Sequence, residues 1–78
     1  MKVVKLNKSH RLYHEGCVVA LRFNSPWSKG AMECRNELHK VEQYKWKAFR
    51  AGTNRPYWIG LKDEKMMSFL LLKADFTN

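Results

Sequence analysis

The sequence predicts an α+β domain: a small antiparallel or mixed sheet of about four to five strands with one amphipathic helix packed on one face. Three observations carry that expectation. The longest apolar run, residues 57–73 (YWIGLKDEKMMSFLLLK), is broken once by the polar residues Asp63, Glu64 and Lys65, the pattern of two strands joined by a three-residue hairpin loop. Glu15 and Gly16 sit between RLYH and CVVALRF and read as the turn of another hairpin, with glycine supplying a positive φ. Ala31, Cys34, Leu38 and Val41 recur at three- and four-residue intervals, the spacing of a helix face. The expected order is β-ββ-α-ββ in a single compact domain over residues 1–78.

In chain order, KVVKL at residues 2–6 is short and β-branched and predicts a first strand. In the hairpin that follows, Leu12, Val19, Leu21 and Phe23 fall on one face, and Arg11, Tyr13, Val18, Ala20 and Arg22 on the other. Residues 24–28 (NSPWS) end the strand and offer two helix starts: Ser25 as cap with Pro26 in the first turn, or Ser28 as a later cap. The helix is expected to run to about Trp46. Gly52 and Pro56 then mark a loop. With an odd loop, the C-terminal hairpin places Tyr57, Ile59 and Leu61 beside Met67, Phe69 and Leu71 as a core face. Trp58, Gly60, Lys62, Ser68, Leu70 and Leu72 form a mixed opposite face with no assigned cover.

Composition narrows the function. The chain carries 15 Lys and Arg against 7 acids, a formal charge of +8, and such an excess favours nucleic acid, a nucleoprotein or an acidic protein surface. A 45% hydrophobic content suffices for a folded core. A chain of this size buries only roughly 60 to 65% of its unfolded surface, so modest stability or a shared interface is expected. Two cysteines make no disulfide framework, the first residues contain no secretory apolar region, and the run from Met66 to Leu72 is too short to span a bilayer. A cytoplasmic chain is expected, with no membrane association.

Recognition chemistry concentrates in residues 43–55 (QYKWKAFRAGTNR), where Lys45, Lys47, Arg50 and Arg55 occur without an acid and alternate with Tyr44, Trp46 and Phe49. Cations neutralise phosphates and aromatic faces stack on unpaired bases, so this composition suits nucleic-acid contact. The competing reading is structural: basic residues favour a helix C-terminus, and the aromatics can face the core. Trp46 lies off the apolar stripe and is the aromatic expected to be exposed. Trp58 continues the stretch into the hairpin, and Arg11 and Arg22 extend the basic surface.

Catalysis and cofactors find little support. His10, His14, Cys17, Cys34 and His39 could in principle supply zinc ligands, and the expected register sets His14 and Cys17 together with Cys34 facing them. Their spacing matches no zinc-finger or ribbon pattern, and a free cysteine is commonly a small buried apolar residue. No glycine-rich phosphate loop is present, and so short a chain has little room for a nucleophile, an oriented base and an oxyanion site. The chain is therefore expected to be non-enzymatic and to need no cofactor. In general format, of size and charge rather than of motif, it resembles the small accessory proteins that phages and mobile elements use to bind and redirect host machinery. The leading expectation is a basic binding module engaging nucleic acid or a nucleoprotein through Lys45, Trp46, Lys47, Arg50, Arg55 and Trp58, with Arg11 and Arg22. The alternative is a protein inhibitor or adaptor, in one form a homodimer, that binds an acidic host protein through the apolar hairpin face.

Overall fold

The computed structural model describes residues 2–41 and 45–73. It is an α+β fold with elements β1 (Lys2–Lys5), α1 (Arg11–His14), β2 (Val19–Phe23), α2 (Lys29–Leu38), β3 (Trp46–Arg50), β4 (Tyr57–Leu61) and α3 (Glu64–Lys73). The four strands form one antiparallel sheet in the order β1-β2-β4-β3. The central strands β2 and β4 are almost wholly buried, whereas the edge strands end in exposed or half-buried Lys and Arg.

The sheet has two unlike faces. On one, Val19, Leu21, Phe23, Tyr57, Ile59 and Leu61 pack beneath Ala31, Cys34 and Leu38 of α2 and Met67 and Leu70 of α3, forming the larger core. On the other, the β1–β2 connection lays Leu6, Leu12 and Cys17 against Ala20, with Val4, Phe49 and Trp58 around them. Gly60 on β4 makes this second packing possible. A Cβ there would lie 2.7 Å from Cys17 Sγ and 3.1 Å from Leu12 Cδ1. Only a residue without a side chain lets that connection lie so close.

The C-terminal hairpin is replaced by a strand and a helix. Tyr57, Ile59 and Leu61 are buried as the alternation requires, but the polar residues after them start a helix instead of closing a loop. Asp63 accepts a hydrogen bond from the Lys65 amide at 2.9 Å, the geometry of an N-cap, and Glu64 occupies the first turn where its charge complements the helix dipole. The following run is Met and Leu, unbranched at Cβ and good helix formers. Met67 and Leu70, three apart, are buried, while Phe69 is 46% exposed. Leu70 is thus a core residue and no apolar hairpin face exists. The side chains of Leu71 and Leu72 lie outside the described residues.

The first hairpin is also absent. Arg11–His14 form one helical turn, capped at its start by His10, whose Nδ1 accepts from the Leu12 amide at 3.1 Å. Gly16 has the expected positive φ of 96°, but it ends this turn. The Gly16 amide donates to the Tyr13 carbonyl and the Cys17 amide to the Leu12 carbonyl, a Schellman closure with Leu12 and Cys17 in apolar contact across it. Leu12 therefore packs on the opposite sheet face from Val19, Leu21 and Phe23.

The central helix begins at the Ser28 cap, buries Ala31, Cys34 and Leu38 as expected, and stops at Leu38 instead of reaching Trp46. From Trp46 the chain alternates with period two instead: Trp46 packs on the larger core, and Lys47 and Phe49 point to the second face, opposite Gly60 and Trp58. Pairing with β4 outweighs the helical spacing of Val41 and Lys45. Gln43 and Tyr44 lie outside the described residues. The outcome among the described residues is three helices in the order β-α-β-α-β-β-α, two of them of ten residues. Among the described residues no helix is long and apolar enough to cross a membrane.

Candidate nucleic-acid interface

The second sheet face gathers cations around two aromatic rings. Antiparallel register aligns Lys2, Arg22, Trp58 and Phe49 in one row across all four strands, and Val4, Ala20, Gly60 and Lys47 in the next. Partners in register share a face, so both rows lie on the side away from α2 and α3. No strand residue on this face is acidic. The β1–β2 connection adds Arg11, whose guanidinium carbon stands 5.0 Å from the Phe49 ring centre, and His10, whose ring meets Trp58 edge-on at 4.6 Å. Lys2, Arg11 and Lys47 are exposed, and Arg22, Phe49 and Trp58 are half-buried.

The eight residues singled out from sequence divide between two surfaces. Arg11, Arg22, Lys47 and Trp58 converge on the second face. Trp46 does not: it turns to the opposite side, packs against the larger core and meets His39 edge-on at 5.8 Å. The aromatic expected to be exposed is thus half-buried. Arg50 also leaves the interface, because its guanidinium donates to the Arg55 carbonyl at 3.1 Å and to the Thr53 carbonyl, bracing the β3–β4 loop. Lys45 and Arg55 are exposed beside the ends of β3 and β4. Trp27, in the strand-breaking segment 24–28, is the most exposed large apolar residue among the described residues at 76%, lying 6.0 Å from the Arg35 guanidinium.

One end of the face is a cluster of charge. Lys47 Nζ lies 3.1 Å from Glu15 Oε2, an exposed ion pair joining the end of α1 to β3. The Lys47 hydrogen bond and charge, with Arg11 and Lys62 adding to them, hold the Glu15 carboxyl below its ordinary range. Lys62 runs alongside Gly16, with its Cε 3.7 Å from where a Cβ would stand, and its amide donates to the Lys45 carbonyl at 3.1 Å. Lys2, Lys62 and Glu15 were not selected from sequence as site residues. Alternation with Val4 and with Gly60 is the signal that places the two lysines, whereas nothing local brings Glu15 to Lys47.

The metal-ligating set is dispersed. Cys17 and Cys34 are buried on opposite faces of the sheet, and the sheet separates them because Leu12 and Cys17 cross to the second face. His14 Nε2 lies 2.7 Å from the Lys8 carbonyl, His10 caps α1, and His39 meets Trp46. Among the described residues no three His, Cys, Asp or Glu side chains are grouped to hold a metal ion. Burial raises the Cys17 thiol and pushes that of Cys34 up to about 12, so both stay protonated and weakly nucleophilic near neutral pH. No protein-family model, curated protein or solved structure matches this chain.

Proposed function

We propose that the protein is a non-catalytic binding module that engages nucleic acid, alone or within a nucleoprotein, through the second face of its sheet. The single observation behind this reading is the acid-free row Lys2, Arg22, Trp58 and Phe49, with Arg11 above it. Guanidinium and ammonium groups flanking aromatic rings combine phosphate neutralisation with surfaces for bases or sugars. The net charge of +8 adds long-range attraction to the same partner.

The test is affinity for labelled DNA and RNA across a salt series. Binding should fall steeply as salt rises, because each neutralised phosphate releases condensed counterions. Absence of binding to either at low salt would rule out direct nucleic-acid contact. Capture of partners from lysate with and without nuclease then separates nucleic acid from protein as the primary target: complexes should be lost on digestion.

A further inference from the structure

We propose that Arg11, Lys47 and Lys62 form a seat for one phosphate of a bound nucleic-acid strand, and that Glu15 fills this seat in the free protein. The inference rests on the nucleic-acid reading above and specifies one contact within it. Glu15 is the only acid among the first 32 residues of the chain. It stands where three separate parts of the fold each contribute a cation: α1 through Arg11, β3 through Lys47, and the end of β4 through Lys62. Arg11 stands one helical turn before Glu15 and Lys62 Nζ lies 4.0 Å from the Cβ position of the adjacent Gly16, so Glu15, paired with Lys47, sits among more positive charge than it neutralises, and a phosphodiester offers the same pair of acceptor oxygens with the same sign of charge. Lys47 lowers the Glu15 carboxyl most, through its hydrogen bond and charge, and the charges of Arg11 and Lys62 add to this.

The carboxylate can yield the seat at small cost. An exposed ion pair contributes little to stability, and the turn that carries Glu15 is held by other means: the buried side chains of Leu12 and Cys17 and the Schellman closure at Gly16. The occupied seat lowers affinity for polyanions and makes that affinity depend on displacing Glu15.

The test compares wild type with Glu15→Gln in binding of a short labelled single-stranded DNA over a salt series, with Glu33→Gln on α2 as a control of equal charge change. In Glu15→Gln no carboxylate has to be displaced, so binding should be tighter by up to about fivefold near 0.1 M salt, the scale of an exposed ion pair, and the gain should shrink as salt screens the Glu15–Lys47 attraction in wild type. Lys62→Gln, which removes one phosphate contact, should lower the log–log salt slope by about 0.7, and Lys29→Gln on α2 should not. Wild-type binding with a steep salt slope, but no greater gain for Glu15→Gln than for Glu33→Gln, overturns the seat and leaves the nucleic-acid reading standing. Failure of both wild type and Glu15→Gln to bind at low salt overturns the nucleic-acid reading and the seat together.

Discussion

Gly60 shows how one position couples the sheet to the segment covering it. A methyl group there would stand 2.7 Å from the sulfur and 3.1 Å from the Cβ of the buried Cys17, and Leu12 closes in at 3.1 Å. Gly60→Ala should therefore lower stability by about 1 to 3 kcal/mol, read as a shifted denaturant midpoint, in line with overpacking of a tight core. Cys17→Ala combined with it should recover part of the loss, and strict additivity of the two changes would show that the contact is not the cause. Cys34 makes a second residue-scale prediction. Its folded thiol is held protonated up to about 12, whereas the unfolded thiol ionises near its ordinary value of 9.0. Above that pH the unfolded state binds fewer protons than the native state, so stability falls as pH rises. The contribution approaches about 1.4 kcal/mol per pH unit once the unfolded thiol is fully ionised. Cys34→Ala, though less stable at neutral pH, should lose stability less steeply between pH 9 and pH 11; an unchanged slope would assign the alkaline loss to other groups.

At the scale of elements, the legible parts were those whose local chemistry has one outcome. The first strand, the buried Ala31, Cys34 and Leu38 of the central helix, and the buried alternation of Tyr57, Ile59 and Leu61 follow from branching and period, whereas of the two helix starts left open, Ser25 and Ser28, the structure takes Ser28. Residues 64–73 carried two readings. A polar tripeptide before an apolar run is equally a hairpin loop or a capped helix start, and the Asp63 carboxylate bonded to the Lys65 amide decides for the helix. Asp63→Ala should then destabilise the protein by about 1 kcal/mol, with amide exchange accelerating first in the opening turn of α3. Ser28→Ala should cost less, because Ser28 caps α2 by backbone position without a side-chain bond to the helix. Equal losses would argue against the Asp63 cap. Gly16 was read correctly as a positive-φ position, but one glycine in that conformation closes a helical turn as readily as a hairpin.

For the whole molecule, function depends on which of its many cations share a surface. Arg22 and Arg50 are both on strands, yet Arg22 lies in the row with Trp58 on the second face, while Arg50 braces a loop. Arg22→Gln should weaken nucleic-acid binding across sequences and lower the salt slope by about one, whereas Arg50→Gln should act mainly on stability. The opposite ranking would move the interface to the other face. Of the eight site residues proposed from sequence, Arg22, Lys47 and Trp58 share a surface through alternation within their strands, which is local information, and Arg11 joins them only through the β1–β2 connection. The inward turn of Trp46, the separation of the two cysteines and the meeting of Glu15 with Lys47 depend on strand order and on the side from which the β1–β2 connection returns. By itself the sequence determined an α+β chain with a strong positive charge, an apolar alternation in residues 19–23 and 57–61 and a basic-aromatic stretch, since composition, period and branching act over a few residues. Only the tertiary structure decided the sheet order β1-β2-β4-β3, the helical fate of residues 64–73 and the rings and cations that share the second face. Those outcomes are set by burial between segments far apart in the chain, where several local arrangements were nearly equal and packing chose among them.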